Sequence, residues 1–129
     1  MILGIGTDIC ENYRIKKIFD EFKDKFLEKI YMNEEIEYCM KMKNPIPHLS
    51  ARFALKEAFI KALSLRVSHG ISYKEVGIIG NTGKKELKIL GTLLQLYEKT
   101  GADNAQFSIS HSKDNSIAFV ILEKKALSI

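Results

Sequence analysis

Apolar residues recur along this chain with a helical period of about 3.6 in some segments and an alternation of about 2 in others. The most apolar stretch is residues 50–63, Ser-Ala-Arg-Phe-Ala-Leu-Lys-Glu-Ala-Phe-Ile-Lys-Ala-Leu. Wound as a helix at roughly 100° per residue, it gathers Ala54, Leu55, Ala58, Phe59, Ala62 and Leu63 on one broad arc. Phe53 and Ile60 cover much of the opposite side. Apolar cover on both sides predicts a helix buried between other elements. Two charged islands interrupt it: Arg52 with Lys56, and Glu57 with Lys61. Each pair is spaced i, i+4, so its members stand one turn apart on one face. One reading makes Glu57–Lys61 an ordinary helix salt bridge of about a few tenths of a kcal/mol and leaves Arg52 and Lys56 solvated. The other has a carboxylate and an ammonium facing a polyanion and its metal. A partner carboxylate elsewhere in the chain decides between them.

The remaining pattern predicts the neighbours of this helix. Residues 2–9 form a first strand, with Gly4 and Gly6 where another backbone or a ligand comes close. Asp8 lies near its end, where a lone carboxylate is ordinarily a turn residue or a cap. Asn12 is placed to cap a helix running to about residue 25, with Ile15, Ile18, Phe19, Phe22 and Phe26 as its apolar stripe. Arg14, Lys16 and Lys17 lie off that stripe, as a solvated face or as a docking surface for an acidic partner. Asn33 caps a third segment to about residue 43, with Glu34 and Glu35 in the first turn, where the helix dipole favours anions. Pro45 and Pro47 end it, and Pro47 suits the first turn of the central helix. His48 is expected on the surface. Ser68-His69-Gly70 closes the central helix. Strands follow at 76–79 and 86–90, joined by a turn at 80–84. A short amphipathic helix spans 92–99 and stops at Gly101. Strands at 106–111 and 117–123 make a second hairpin, with Phe107 and Ile109 on one face of the first and Ser108 and Ser110 on the other. The expected class is α+β: helices packed on a mainly antiparallel sheet, in one domain over residues 1–129.

Composition narrows this picture. A 129-residue chain with 46% apolar residues is long enough to bury a core and is not a disordered chain. No apolar run approaches the ~20 residues that a membrane span needs. The first residues lack the pattern of a signal peptide, which predicts a cytoplasmic protein. Twenty basic against sixteen acidic side chains give +4, which favours anionic partners without choosing among them. Cys10 and Cys39 have neither metal-ligand spacing nor a disulfide-rich setting and read as free thiols, with a catalytic thiol as the alternative.

Three polar features stand out against the apolar background: Asp8 at a strand end, Glu57 with Lys61, and His111 at the end of a serine-lined strand. Two carboxylates from different elements suit Mg²⁺, which takes oxygen ligands and completes its shell with water and substrate phosphate. A nearby ammonium would stabilise charge moving on that phosphate. The glycines at 80 and 83 do not have phosphate-loop spacing, and no helix follows them directly.

Gly4-Ile5-Gly6-Thr7-Asp8-Ile9, residues 52–62 (Arg-Phe-Ala-Leu-Lys-Glu-Ala-Phe-Ile-Lys-Ala) and Ser108-Ile109-Ser110-His111-Ser112 resemble the three signatures of the 4′-phosphopantetheinyl transferases. Chain length and motif placement resemble the short, holo-acyl carrier protein synthase type, over nearly the whole chain. The resemblance implies that fold and a transfer of phosphopantetheine from coenzyme A to a serine of apo acyl carrier protein, in support of fatty acid synthesis. It implies Asp8 and Glu57 as Mg²⁺ ligands, with Lys61 on the phosphates of coenzyme A. It places Ser108 and His111 in the coenzyme A pocket, and Arg14 against the acidic helix of the carrier protein. Arg52 is a second candidate for that partner or for the coenzyme A phosphates. It implies a homotrimer with sites between subunits, and leaves open whether Glu57 or a water takes the serine proton. The chain departs from the family's pattern at Thr7, at Gly83-Lys84-Lys85 and over residues 65–70. The competing reading is a small basic module that binds RNA or an acidic protein without catalysis. Nucleic-acid surfaces interleave aromatic and basic residues, whereas Phe19, Phe22, Phe53 and Phe59 are expected on core stripes.

Overall fold

The computed structural model describes residues 1–65, 70–80 and 83–125. Strand β1 (Ile2–Glu11) leads into helices α1 (Asn12–Phe22), α2 (Asp24–Ile30), α3 (Asn33–Met40) and α4 (Ile46–Ala62). A 3₁₀ turn (Tyr73–Glu75), β2 (Val76–Ile79), β3 (Glu86–Ile89), α5 (Gly91–Lys99), β4 (Asn104–His111) and β5 (Asn115–Glu123) follow. β1, β5 and β4 form one antiparallel sheet in that order, and β2 and β3 form a second antiparallel pair. The α+β expectation holds, with the strands divided between two sheets.

Helix α4 lies across β1 and β5. Two of the β1 residues facing it are glycines, Gly4 and Gly6, and they pair with Leu122 and Val120 on β5. A Cβ at Gly6 would collide with the Ala58 carbonyl, and one at Gly4 with the Ala62 carbonyl. Glycine therefore lets strand and helix backbones touch, the close approach anticipated for this strand. Leu49, Ala54, Leu55, Ala58, Phe59 and Ile60 fill the space around α4, against Val76, Ile78, Leu93, Val120 and Leu122. Both sides of α4 are covered, as its pattern predicts.

Several boundaries differ from expectation. The helix expected over 12–25 breaks at Lys23, whose φ of 47° lies in the left-handed region. A separate helix, α2, then carries Phe26, Leu27 and Ile30 into the core, while Phe22 is left exposed. Asn12 is not the cap but the first helical residue. Its amide donates to the Ser112 and Lys113 carbonyls and accepts from the Ser116 hydroxyl, tying β1 to the β4–β5 turn. α3 ends at Met40, before the expected residue 43, and α4 begins at Ile46, with Pro47 in its first turn. α4 ends at Ala62, so Ser68 and His69 do not close it and lie outside the described residues. Residues 81–82 of the expected turn also lie outside them.

The reading of Arg52 and Lys56 as solvated is wrong. Arg52 is 1% exposed and Lys56 0%. Lys56 Nζ donates to Glu35 Oε1 at 2.6 Å, to the Tyr73 carbonyl at 3.0 Å and to the Val76 carbonyl. Glu35, itself fully buried, accepts from the Met32 and Ile78 N–H groups. Its role is an internal ion pair, beyond the first-turn dipole contact expected of it. Burial pulls the Lys56 ammonium below its ordinary range, and the Glu35 charge opposes that shift. The Arg52 guanidinium lies 4.4 Å from the Tyr38 ring centroid and donates to the His48 carbonyl.

Candidate active site

The register of β1 decides where Asp8 goes. Inward and outward residues alternate, so Asp8 shares a face with Gly4, Gly6 and Cys10, the face against α4. Lys61, one turn beyond Glu57 on α4, reaches across and donates to Asp8 Oδ1 at 2.9 Å and to the Thr7 carbonyl at 3.1 Å. The lysine thus pairs with a carboxylate 53 residues away in sequence, not with Glu57 in its own helix. Glu57 Oε1 instead accepts from the Tyr73 hydroxyl at 2.6 Å. The Tyr73 ring tilts against Phe53, with centroids 5.3 Å apart. Burial and the Glu57 carboxylate, with a smaller push from Asp8, raise the Tyr73 hydroxyl well above its ordinary range. It therefore keeps its proton and acts as the donor. The positive charge of Arg14, on the exposed side of α1, opposes that rise.

Asp8, Glu57 and Lys61 are therefore gathered at one edge of α4, with Tyr73 as a fourth member. Nothing in spacing or periodicity singles out Tyr73, which stands 16 residues from Glu57 in the connection between α4 and β2. Among the described residues, Asp8 Oδ2 and Glu57 Oε2 have no hydrogen-bond partner. The Asp8 side chain is 19% exposed. Two carboxylates from separate elements, each with one oxygen held and one uncommitted, fit a hard divalent cation that keeps part of its water shell.

The third motif falls elsewhere. Ser108 pairs with Phe119 on the outward face of the sheet, while His111, three residues on, has its ring 5.2 Å from that of His48. The two are on opposite faces of β4. Among the described residues, no hydrogen bond or ring contact joins either to Asp8, Glu57 or Lys61. His48, expected on the surface, is half-buried between Tyr38 and His111. Arg52 lies in this second cluster, buried beneath Tyr38, which does not suit the direct partner contact expected of it. Cys10 and Cys39 are both buried free thiols, and burial pushes Cys39 up to about 11. Neither is placed to act as a nucleophile.

A sequence profile of the 4′-phosphopantetheinyl transferase superfamily matches residues 4–122. The chain belongs to that superfamily. The holo-[acyl-carrier-protein] synthase of Leptospira biflexa is 39% identical over 125 residues, 96% of this chain and 98% of that one. The crystal structure of the Neisseria meningitidis holo-[acyl-carrier-protein] synthase superposes with a TM-score of 0.85 at 34% identity, covering 96% of this chain and 100% of that one. The Helicobacter pylori synthase, solved in complex with coenzyme A, has a TM-score of 0.79 at 30% identity and covers 92% and 99%. Membership makes the chain an enzyme, a phosphopantetheinyl transferase, and sets aside the non-catalytic binding module. No described helix is long and apolar enough to cross a membrane.

Proposed function

We propose that this transferase is a holo-acyl carrier protein synthase, moving the 4′-phosphopantetheine arm of coenzyme A onto a serine hydroxyl of apo acyl carrier protein. The observation that carries the reading is the contact of Lys61 with Asp8, which joins the first and second motifs into one site beside Glu57. The carrier serine oxygen forms a bond to the β-phosphorus of coenzyme A. The bond from that phosphorus to the bridging oxygen breaks, and adenosine 3′,5′-bisphosphate leaves with the electron pair. Mg²⁺ held by Asp8 and Glu57 would screen the pyrophosphate and stabilise charge gathering on the leaving group. Lys61 holds Asp8 and carries a positive charge at the place where that charge develops. The serine proton leaves to a base at the same edge of α4, with Glu57 a candidate.

The carrier protein docks on the α1–α2 side. An open cleft there is lined by the apolar Ile18, Phe22, Phe53 and Tyr73 and rimmed by Lys25 and Lys29. Arg14 stands one turn before Ile18 on α1. An acidic helix with apolar residues on one face would match cations around an apolar floor. Tyr73 forms part of that floor and touches Glu57, so a serine delivered there arrives beside the carboxylate.

The opposite face of the main sheet carries Ile5, Ile9, Ile117 and Phe119, between 40% and 65% exposed. A contiguous apolar face of this kind marks an interaction surface, and we assign it to self-association as a homotrimer. Ser108 lies on that face, so a coenzyme A pocket that includes it would form where subunits meet. The enzyme acts in the cytoplasm, as a single domain supplying holo-carrier protein for fatty acid synthesis.

The test is incubation with apo acyl carrier protein, coenzyme A and Mg²⁺, followed by mass spectrometry of the carrier. The expected result is a gain of one phosphopantetheine that disappears with EDTA. No gain, beside a known transferase that modifies the same carrier, would overturn the reading. Light scattering should give three chains per particle, and a monomeric mass would sink the trimer.

A further inference from the structure

We propose that Tyr73 is a positioning residue for Glu57: its hydroxyl holds Oε1 and so presents Oε2 to a divalent cation. The inference rests on the reading of Asp8 and Glu57 as the cation's ligands. Its direct support is the 2.6 Å hydrogen bond from the tyrosine hydroxyl to Glu57 Oε1. A carboxylate at a half-open helix edge still samples several rotamers, and fixing one oxygen reduces that freedom before the cation arrives.

The tyrosine is itself held from three sides. Its ring lies against Phe53. Its carbonyl accepts from Lys56 Nζ at 3.0 Å, and that ammonium is fixed by the buried Glu35. The turn that carries it is closed by Ser72, whose hydroxyl accepts from the Lys74 N–H and whose carbonyl accepts from the Glu75 N–H. Lys56 and Glu57 are adjacent on α4, so one turn of helix fixes the tyrosine backbone through one residue and receives its hydroxyl through the next. The buried ion pair thus serves the site at one remove: it sets where the Tyr73 backbone lies, and the side chain carries that position to Glu57.

Replacing an outer partner of a metal ligand ordinarily weakens the metal by about 10–100-fold. The substitution to make is Tyr73→Phe, which keeps the ring packing and removes only the hydroxyl. Mn²⁺ binding to the metal-free protein, followed by electron paramagnetic resonance, should weaken about tenfold. The Mg²⁺ concentration giving half-maximal transfer should rise by a similar factor, and saturating Mg²⁺ should restore most of the wild-type rate. Melting of the metal-free variant, within about 2 °C of wild type, confirms that it is folded. Equal Mn²⁺ affinity in wild type and variant overturns the proposal, as does a rate deficit that excess Mg²⁺ leaves untouched. If wild type itself binds no Mn²⁺ that Mg²⁺ displaces, it is the assignment of Asp8 and Glu57 as ligands that fails, and the role of Tyr73 falls with it.

Discussion

Helix α4 carries two charged islands of the same spacing, and they have opposite fates. Lys56 is sealed in the interior with Glu35 and two backbone carbonyls. Arg52 lies beneath Tyr38. Glu57 and Lys61, the next positions along, open at an edge, where one meets Tyr73 and the other Asp8. The residue types and the i, i+4 geometry are alike, so neither explains the difference. What differs is the neighbour each side of the helix is packed against. The Lys56 side faces α3, the 3₁₀ turn and β2, which supply a buried carboxylate and two inward carbonyls. The Lys61 side faces β1, whose glycines bring the backbones together and leave Asp8 at the rim. One helix therefore anchors the core with one cation and equips the candidate site with another.

The largest expected effect breaks the buried member. Lys56→Ala leaves Glu35 charged and unpaired in the interior and should cost about 3–5 kcal/mol in urea unfolding. The double variant Lys56→Met, Glu35→Leu should recover much of that loss, because it removes both charges together. A single variant as stable as wild type would show that the pair carries little. At the open member, Glu57→Ala and Lys61→Ala should each lower the transfer rate by about 10²–10³-fold, the scale for losing one charge-stabilising group. Their melting temperatures should stay within about 3 °C of wild type, because the Lys61–Asp8 pair is open to solvent on the lysine side and Glu57 gives up a single side-chain hydrogen bond. A large melting shift with near-normal rate would reverse the roles assigned to the two islands.

Gly6→Ala tests the contact that separates them. The new methyl meets the Ala58 carbonyl, so strand and helix must part at some cost in stability, about 1–3 kcal/mol. The rate should fall further than that loss of stability explains, because Asp8 moves away from Lys61 while Lys56 keeps its partners. Equal activity per folded molecule would show that the approach of β1 to α4 does not tune the site.

The smallest effect concerns His48, at the start of the same helix. Burial lowers its pKa below 6.5, assisted by the charges of His111, Arg52 and Lys85. A depressed histidine binds its proton more readily when unfolded. Its contribution to stability is therefore lost as pH falls from about 6.5, the unfolded value, toward the lower folded one. His48→Gln should flatten the melting temperature against pH just below about 6.5, with little change above 7. An unchanged slope would place the acid sensitivity elsewhere.

Period and turn chemistry were enough to read the strands, the start of α4, α5 and both hairpins, because each reports a local preference: alternation for strands, a 3.6 period for helices, proline and glycine at turns. The break at Lys23 escaped that reading, since the apolar stripe runs through it and no glycine or proline marks it. The three motifs, through their resemblance to a family, were sufficient for membership, and the comparisons bear that out. The placement of the site residues was a tertiary outcome. Asp8 meets Lys61 because the β1 register turns every second side chain toward α4 and glycine lets the helix come close. Arg52 and Lys56 are buried because α3, the 3₁₀ turn and β2 close over them. Ser108 and His111 fall on opposite faces because they are three residues apart on a strand. Tyr73 reaches Glu57 because a buried lysine holds its backbone. Local pattern is a property of neighbours in sequence. The environment of a charge depends on what the rest of the chain packs around it, and that alone separated the two islands of α4.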